Sequence, residues 1–368
     1  MRTDRDLARA CSPCPSTVEL LASHPMHPLA RELLDLPCFD LPIATLRCVC
    51  VPDAPLRFDD RHRALIGAAL TLRGAIGEGL HRVGCLRAAR ALPPCDLGDD
   101  TDIQCDDLDT CPHAILMRAR GAPDVPMPWR PRFEPLVGRT IERPFELIID
   151  LWGHASLALR PVLANAVRLA GQLGLEAQTI RGRSRVHYEV KSVLGLDDPP
   201  CLLRDLAARR ADQWRDVKAC VAVFRTPASI KQRPAPDQKS RLLLQADEIP
   251  FLTPLVTATR RAIDTEAVLR QPRAPATQTE LPRARLAQLA TTLATKAPVR
   301  CVDSLTVPIQ ATHRSTRTHR PVALAGLLGS ASFEGPIGAS APMLTLAEQL
   351  GLGGHTAFGL GRVMFLRG

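Results

Sequence analysis

Aromatic residues are scarce in this chain: they make up 4% of 368 residues, with a single tyrosine, Tyr188. A protein that reads single-stranded RNA by stacking bases on rings would carry more of them. Lysine is scarce too, at five of 47 basic residues, so the cationic surface is almost wholly guanidinium. No apolar run approaches the roughly 20 residues that span a bilayer. The opening MRTDRDLARACSPC has charges where a secretory signal would have its apolar core, which predicts a cytoplasmic protein with no membrane partner. No Gly-Lys-Ser/Thr ending marks a nucleotide loop, and no His-x-Glu with a Pro-Cys-x-x-Cys partner marks a zinc deaminase.

Hydrophobic residues reach 45% and charged residues 23%, as in globular proteins, and the length suffices for two domains. A net charge of +9 points to an anionic partner such as nucleic acid. With so few aromatics, phosphates and duplex shape should matter more than stacking. Twelve cysteines without a secretory signal argue against a disulfide framework. Four of them, Cys85, Cys95, Cys105 and Cys111, gather in an acidic stretch with nine, nine and five residues between them. Four thiolates would close a tetrahedral structural zinc site, with His113 as a substitute ligand; buried free thiols are the alternative.

The hydrophobic pattern gives two halves with the same grammar. After a Pro-rich leader (residues 1–40), ATLRCVCV alternates like a strand and HRALIGAALTLRGAIGEGLHRV reads as a helix. Its apolar stripe is Leu65, Ala69, Leu72, Ile76, Leu80 and Val83. RPFELIIDLWG is a strand, ALRPVLANAVRLAGQLG a helix stopped near Gly174, and SRVHYEVKSVLGL a strand. One further strand completes β-α-β-β-α-β. In the second half come a strand broken by Pro227, a long helical region from about Pro250 to Leu293, strands at VRCVDSLTVPI and RPVALAGLLGSASFEG, a helix at 341–350 and a last strand. The expected fold is therefore α+β: two tandem ferredoxin-like (RRM-like, βαββαβ) domains. They cover 41–212, with a cysteine-bearing insertion at about 85–125, and 213–368.

GLGGHTAFGLGR, from Gly351 to Arg362, follows a helix and precedes a strand, the reverse of a nucleotide loop. Together with ALAGLLGSASFEG before it, this segment resembles the C-terminal signature of the CRISPR-associated endoribonucleases that process precursor CRISPR RNA, the sixth Cas family of the RAMP superfamily. HRSTRTHRPVALAG is similar to that family's Arg-x-Ser-x-Arg segment and places Arg314, Ser315 and Arg317. VFRTPASIK is similar to its Thr-Pro strand, and LRGAIGEGLHRVGC to its first helix. The resemblance covers about 44–118 and 216–365.

The resemblance implies cleavage of CRISPR repeat RNA into guide RNAs without a metal. The 2′-hydroxyl attacks its own phosphodiester and leaves a 2′,3′-cyclic phosphate and a 5′-hydroxyl. The alternative is a non-catalytic RAMP subunit that holds guide RNA in an effector complex with other Cas proteins. Cleavage needs a base, an acid and a cation, and histidine titrates in the right range. His81 is the first candidate, because Arg73, Gly77 and His81 recur at steps of four on one helix face. His62 is the second. A turn of Gly351, Gly353, Gly354, His355, Thr356, Gly359 and Gly361 would bring backbone N–H groups close to phosphates. Arg362, Arg73, Arg314 and Arg317 would add bidentate phosphate contacts.

Overall fold

The structure, a computed structural model, describes residues 26–58, 63–89, 110–117, 127–133, 136, 140–179, 182–232, 241–242, 249–270, 279–314, 321–354, 356 and 359–368. His62, Cys95, Cys105, Arg317 and His355 lie outside them. The helices that matter below are α1 (Pro28–Leu34), α2 (Arg63–Gly84), α3 (Pro112–Met117), α4 (Arg160–Leu173), α5 (Leu203–Gln213), α6 (Leu252–Arg270), α7 (Glu280–Lys296) and α8 (Ala341–Leu350). The main strands are β1 (Pro42–Pro52), β2 (Trp129–Arg132), β3 (Phe145–Trp152), β4 (Tyr188–Leu194), β5 (Ala219–Ala228), β6 (Arg300–Arg314), β7 (Pro321–Glu334) and β8 (Val363–Arg367).

Two antiparallel sheets result, ordered β2-β3-β1-β4 and β6-β7-β5-β8. Each half thus repeats one strand order, with a helix after its first and third strands. The inner face of the first sheet presents Leu46, Cys48, Cys50, Leu147 and Ile149. Against it lie α2, through Ala69, Leu72, Ile76 and Leu80, and α4, through Leu163, Ala166, Val167 and Ala170. Four positions of the stripe read from the sequence are therefore core. Val83 is not: it is 44% exposed, while Ile66 joins the core instead. Where α2 crosses α4 the backbones nearly touch at Gly79, whose Cβ would sit 2.3 Å from the Ala166 oxygen. Only glycine permits that crossing.

The second sheet buries Cys220, Ala222, Phe224, Leu327, Ala331, Phe333 and Phe365 against α5, α6 and α8. The same core takes in Leu29, Ala30, Leu33, Cys38 and Phe39, so described residues of the leader pack with the second half. Across the seam, Trp152 joins the second core while Ile309, Leu324 and Leu360 join the first. Pro227 acts as expected. The β5–β7 register slips between Phe224 and Ala228, and residues 225–227 bulge out of the ladder. No helix among the described residues is long and apolar enough to cross a membrane.

Candidate nucleic-acid interface and histidine pair

Helix α2 carries His81 in its last turn, half-buried. The short α3 is held across this end of the helix. Cys111 Sγ donates to the Gly84 oxygen at 3.5 Å, Trp129 Nε1 donates to the Leu116 oxygen at 2.8 Å, and Met117 lies against Gly77. This placement puts His113 edge-to-face on His81, with ring centroids 5.2 Å apart and planes at 67°. His113 is buried. Burial, reinforced by the neighbouring His81 and opposed by Glu78, pushes His113 down to about 4. At neutral pH its ring is therefore uncharged. Glu78 is drawn into an exposed ion pair with Arg82 at 2.7 Å. The enclosed Nε2 of His81 has no hydrogen-bond partner in the protein. A half-buried imidazole against a neutral one has the residue chemistry of proton transfer.

On the same helix face, Arg73 reaches the Met127 sulfur with Nη2 at 3.9 Å, so the steps of four seen in the sequence face a common cover made by 113–117 and Met127. Cys85 and Cys111 are buried free thiols on either side of Gly84. Among the described residues no three His, Cys, Asp or Glu side chains are grouped to hold a metal.

The glycine-rich turn sits on the bulge of β5. Gly351 ends α8 with φ +91° and donates to the Ala347 oxygen at 2.8 Å, as a C-terminal cap. Leu352 N–H donates to Gly361 O at 2.7 Å, Gly354 N–H to Ser229 O at 3.1 Å, Gly359 N–H to Thr356 O at 2.9 Å and Gly361 N–H to Pro227 O at 3.0 Å. The buried Thr226 hydroxyl donates to the Gly359 oxygen and accepts the Arg362 N–H at 2.8 Å. Arg261 reaches the Gly353 oxygen. These N–H groups are engaged inside the protein and do not point to a ligand. Glycine is required here for another reason: Gly351, Gly353, Gly359 and Gly361 all have φ between +74° and +91°. A Cβ on any of them would lie within 2.8 Å of a neighbouring atom. Gly354 differs, with no positive φ and only Ser229 side-chain atoms beyond 3.4 Å.

Two arginines border the turn. The Arg362 carbonyl accepts the Arg225 N–H at 2.8 Å, which sets the half-buried Arg362 beside the exposed Arg225. Arg225 escaped the sequence reading, although its place in the alternation of β5, before Thr-Pro, marks it as outward-facing. Arg314 closes the β6–β7 register opposite Pro321. Thr356 is buried. The structure thus forms two neighbourhoods, the histidine pair on α2 and the arginine-edged turn on β5, and α2 touches both β5 and β6.

Residues 223–363 match the family model described as CRISPR-associated endoribonuclease Cas6, which bears out the resemblance read from the sequence. No curated protein matches the chain. Among solved structures, Cas6 of Thermus thermophilus is 12% identical and aligns over 89% of this chain and 99% of its own, with a TM-score of 0.45. The product of a Cas6-related gene from Pyrococcus furiosus is 11% identical over 88% of this chain and 98% of its own, with a TM-score of 0.38. A partial Cas6-RT-Cas1–Cas2 complex aligns over 89% of this chain and 46% of its own at 12% identity, with a TM-score of 0.44.

Proposed function

We propose, from the premise that residues 223–363 carry the signature of the CRISPR-associated Cas6 endoribonucleases, that this chain cleaves CRISPR precursor RNA within its repeats. The repeated strand order and helix placement of the two sheets support two tandem ferredoxin-like domains as its frame. The single observation that carries the catalytic reading is the pairing of His81 with a buried, neutral His113.

In this mechanism His81 exchanges the proton of the reaction. As base it takes the 2′-hydroxyl proton, the freed oxygen attacks the adjacent phosphorus, the P–O5′ bond breaks, and the 5′ oxygen takes a proton from solvent, to which His81 then returns its own. The products are a 2′,3′-cyclic phosphate and a 5′-hydroxyl. His113 stays uncharged, so it places no second positive charge against the imidazolium that forms on His81. Arg225 and Arg362 hold the RNA backbone, with Arg73, Arg314 and Arg317 as further cations. We propose no metal for the cleavage step. A structural zinc would take Cys85 and Cys111 together with Cys95 and Cys105, and zinc analysis of the purified protein, expected to return one ion per chain, checks it. Repeat RNA, other Cas subunits and a cytoplasmic setting complete the proposal.

The test is single-turnover cleavage of the repeat RNA encoded beside this chain, in excess EDTA. The wild type should cut at one position and leave a cyclic phosphate. His81→Ala should slow cleavage by about 10²–10⁴ and keep its RNA affinity. Tight binding without any cut by the wild type would make the chain an RNA-holding subunit instead.

A further inference from the structure

We infer that Arg130 is a positioning residue: from the first sheet it fixes the glycine-rich turn of the second half and, on the reading proposed above, the RNA-facing Arg225 and Arg362 that the turn supports. Arg130 stands on β2 and is 1% exposed. Its Nη2 crosses the seam to the last turn of α8, 2.8 Å from the Gln349 oxygen and 3.3 Å from the Glu348 oxygen. A helix leaves its last carbonyls without partners inside the helix and carries partial negative charge there. A guanidinium satisfies both needs. The first residue after α8 is Gly351, where a Cβ would lie 2.8 Å from Arg130 Nη1. The turn begins at a φ of +91°, which favours glycine, in close contact with this side chain.

The neighbours of Arg130 on the strand complete the wall. Gly359 rests on the Pro131 oxygen and the Phe133 ring, each 2.8 Å from where its Cβ would be. Both ends of the turn thus lie on β2, while its middle hangs on the β5 bulge.

Stability does not explain the choice of arginine. The charge is balanced by Asp150 at 3.6 Å. That carboxylate is already held by Arg132, through Nε at 2.9 Å and Nη2 at 2.7 Å, and by the Thr45 hydroxyl at 3.2 Å. Arg130 Nε and Nη1 find no hydrogen-bond partner. An apolar side chain of similar volume would avoid this desolvation and is often no less stabilising. It could not join two carbonyls of one half to a carboxylate of the other.

The experiment compares wild type, Arg130→Met and Arg130→Lys by amide hydrogen exchange and by repeat-RNA binding across a salt series. In Arg130→Met the amides of Leu352, Gly354 and Gly361 should exchange at least about tenfold faster, while those of Cys48 and Leu147 keep their protection. RNA affinity should fall roughly tenfold or more. The slope of log affinity against log salt should flatten by roughly 0.7 for each phosphate that Arg225 or Arg362 no longer reaches, although Arg130 itself is too buried to touch RNA. Arg130→Lys should lie between the two, since it keeps the charge and one donor. A purely structural role would lower the melting temperature and leave the turn's exchange, the affinity and the slope of the folded protein unchanged, which would overturn the inference. If Arg130→Met does not fold, unchanged exchange in Arg130→Lys overturns it equally. If the wild type fails to bind RNA, the proposed function falls, and the exchange data alone decide what Arg130 does.

Discussion

The two halves of the molecule differ most at one equivalent place, the stretch between the second helix and the last strand. Both helices begin with a proline in the first turn and end on a glycine of positive φ, Gly174 at +79° and Gly351 at +91°. The first half then inserts a hairpin, Leu175–Thr179 against Gly182–Val186, whose backbone groups pair with each other. The second half inserts a turn whose N–H groups reach outside it, to the Pro227, Ser229 and Ala347 carbonyls, as well as to two of its own, and whose Gly351 and Gly359 lie against Arg130 and Pro131 of β2. A ladder that satisfies itself can use ordinary residues. A segment pressed this closely cannot, because its glycines meet the Ser229, Pro131 and Leu352 backbone oxygens or the packed Arg130 and Phe133 side chains. Glycine content here records close docking rather than open donors.

Alanine substitutions test this contrast in graded steps. Gly361→Ala should be the most damaging, at about 3–4 kcal/mol, since its Cβ would lie 2.0 Å from the Leu352 oxygen at a φ of +74°. Denaturant unfolding measures it. The first half has its own weak point in acid. His113 titrates at about 4 in the fold against 6.5 ordinarily, so the unfolded chain binds more protons between these values. Stability is then full above about pH 6.5 and falls as the pH drops toward 4, by up to about 3 kcal/mol. His113→Phe should remove that dependence, and equal acid sensitivity in this variant would reject the assignment.

Gly174→Ala should cost less, about 2 kcal/mol, because its backbone at φ +79° and ψ 151° favours glycine but its neighbours are the side chains of His187 and Arg185 rather than backbone. Gly354→Ala should be almost silent in unfolding, within about 0.5 kcal/mol. If Gly354→Ala nevertheless weakens RNA binding, that glycine alone in the turn serves the ligand. Should Gly354 and Gly361 prove equally sensitive, the contrast between docked and open glycines fails.

Periodicity made much of this legible beforehand. The strand alternation of β1, β3 and β5, the stripe of α2, the break at Pro227 and the stop at Gly174 all depend on neighbours in sequence. β2 went undetected because its four residues, Trp-Arg-Pro-Arg, include two arginines and a proline and read as a loop. His81 could be picked out from its helix face, but His113 becomes its companion only when α3 folds back over α2. The turn announced its positive φ angles through glycine, whereas two of the carbonyls that claim its N–H groups belong to the distant residues 227 and 229. Such partners carry no local signature. Arg130 is the extreme case, a lone arginine whose role exists only across the seam.

The leader has one more consequence. Leu33 and Phe39 fill the core beneath the second sheet, Glu32 and Asp40 grip Arg285 and Arg204, and the chain then turns away to build the first sheet before returning. The polypeptide is therefore laced through its own two halves, and no single cut frees either. A fragment beginning at residue 203, which keeps α5, would arrive with a gap where α1 belongs and should be sticky and poorly soluble. Supplying residues 26–41 as a separate peptide, or grafting them ahead of residue 203 through a flexible linker, should restore a soluble second half. The first half faces the opposite situation, since it can lose the leader without losing any of the core under its own sheet.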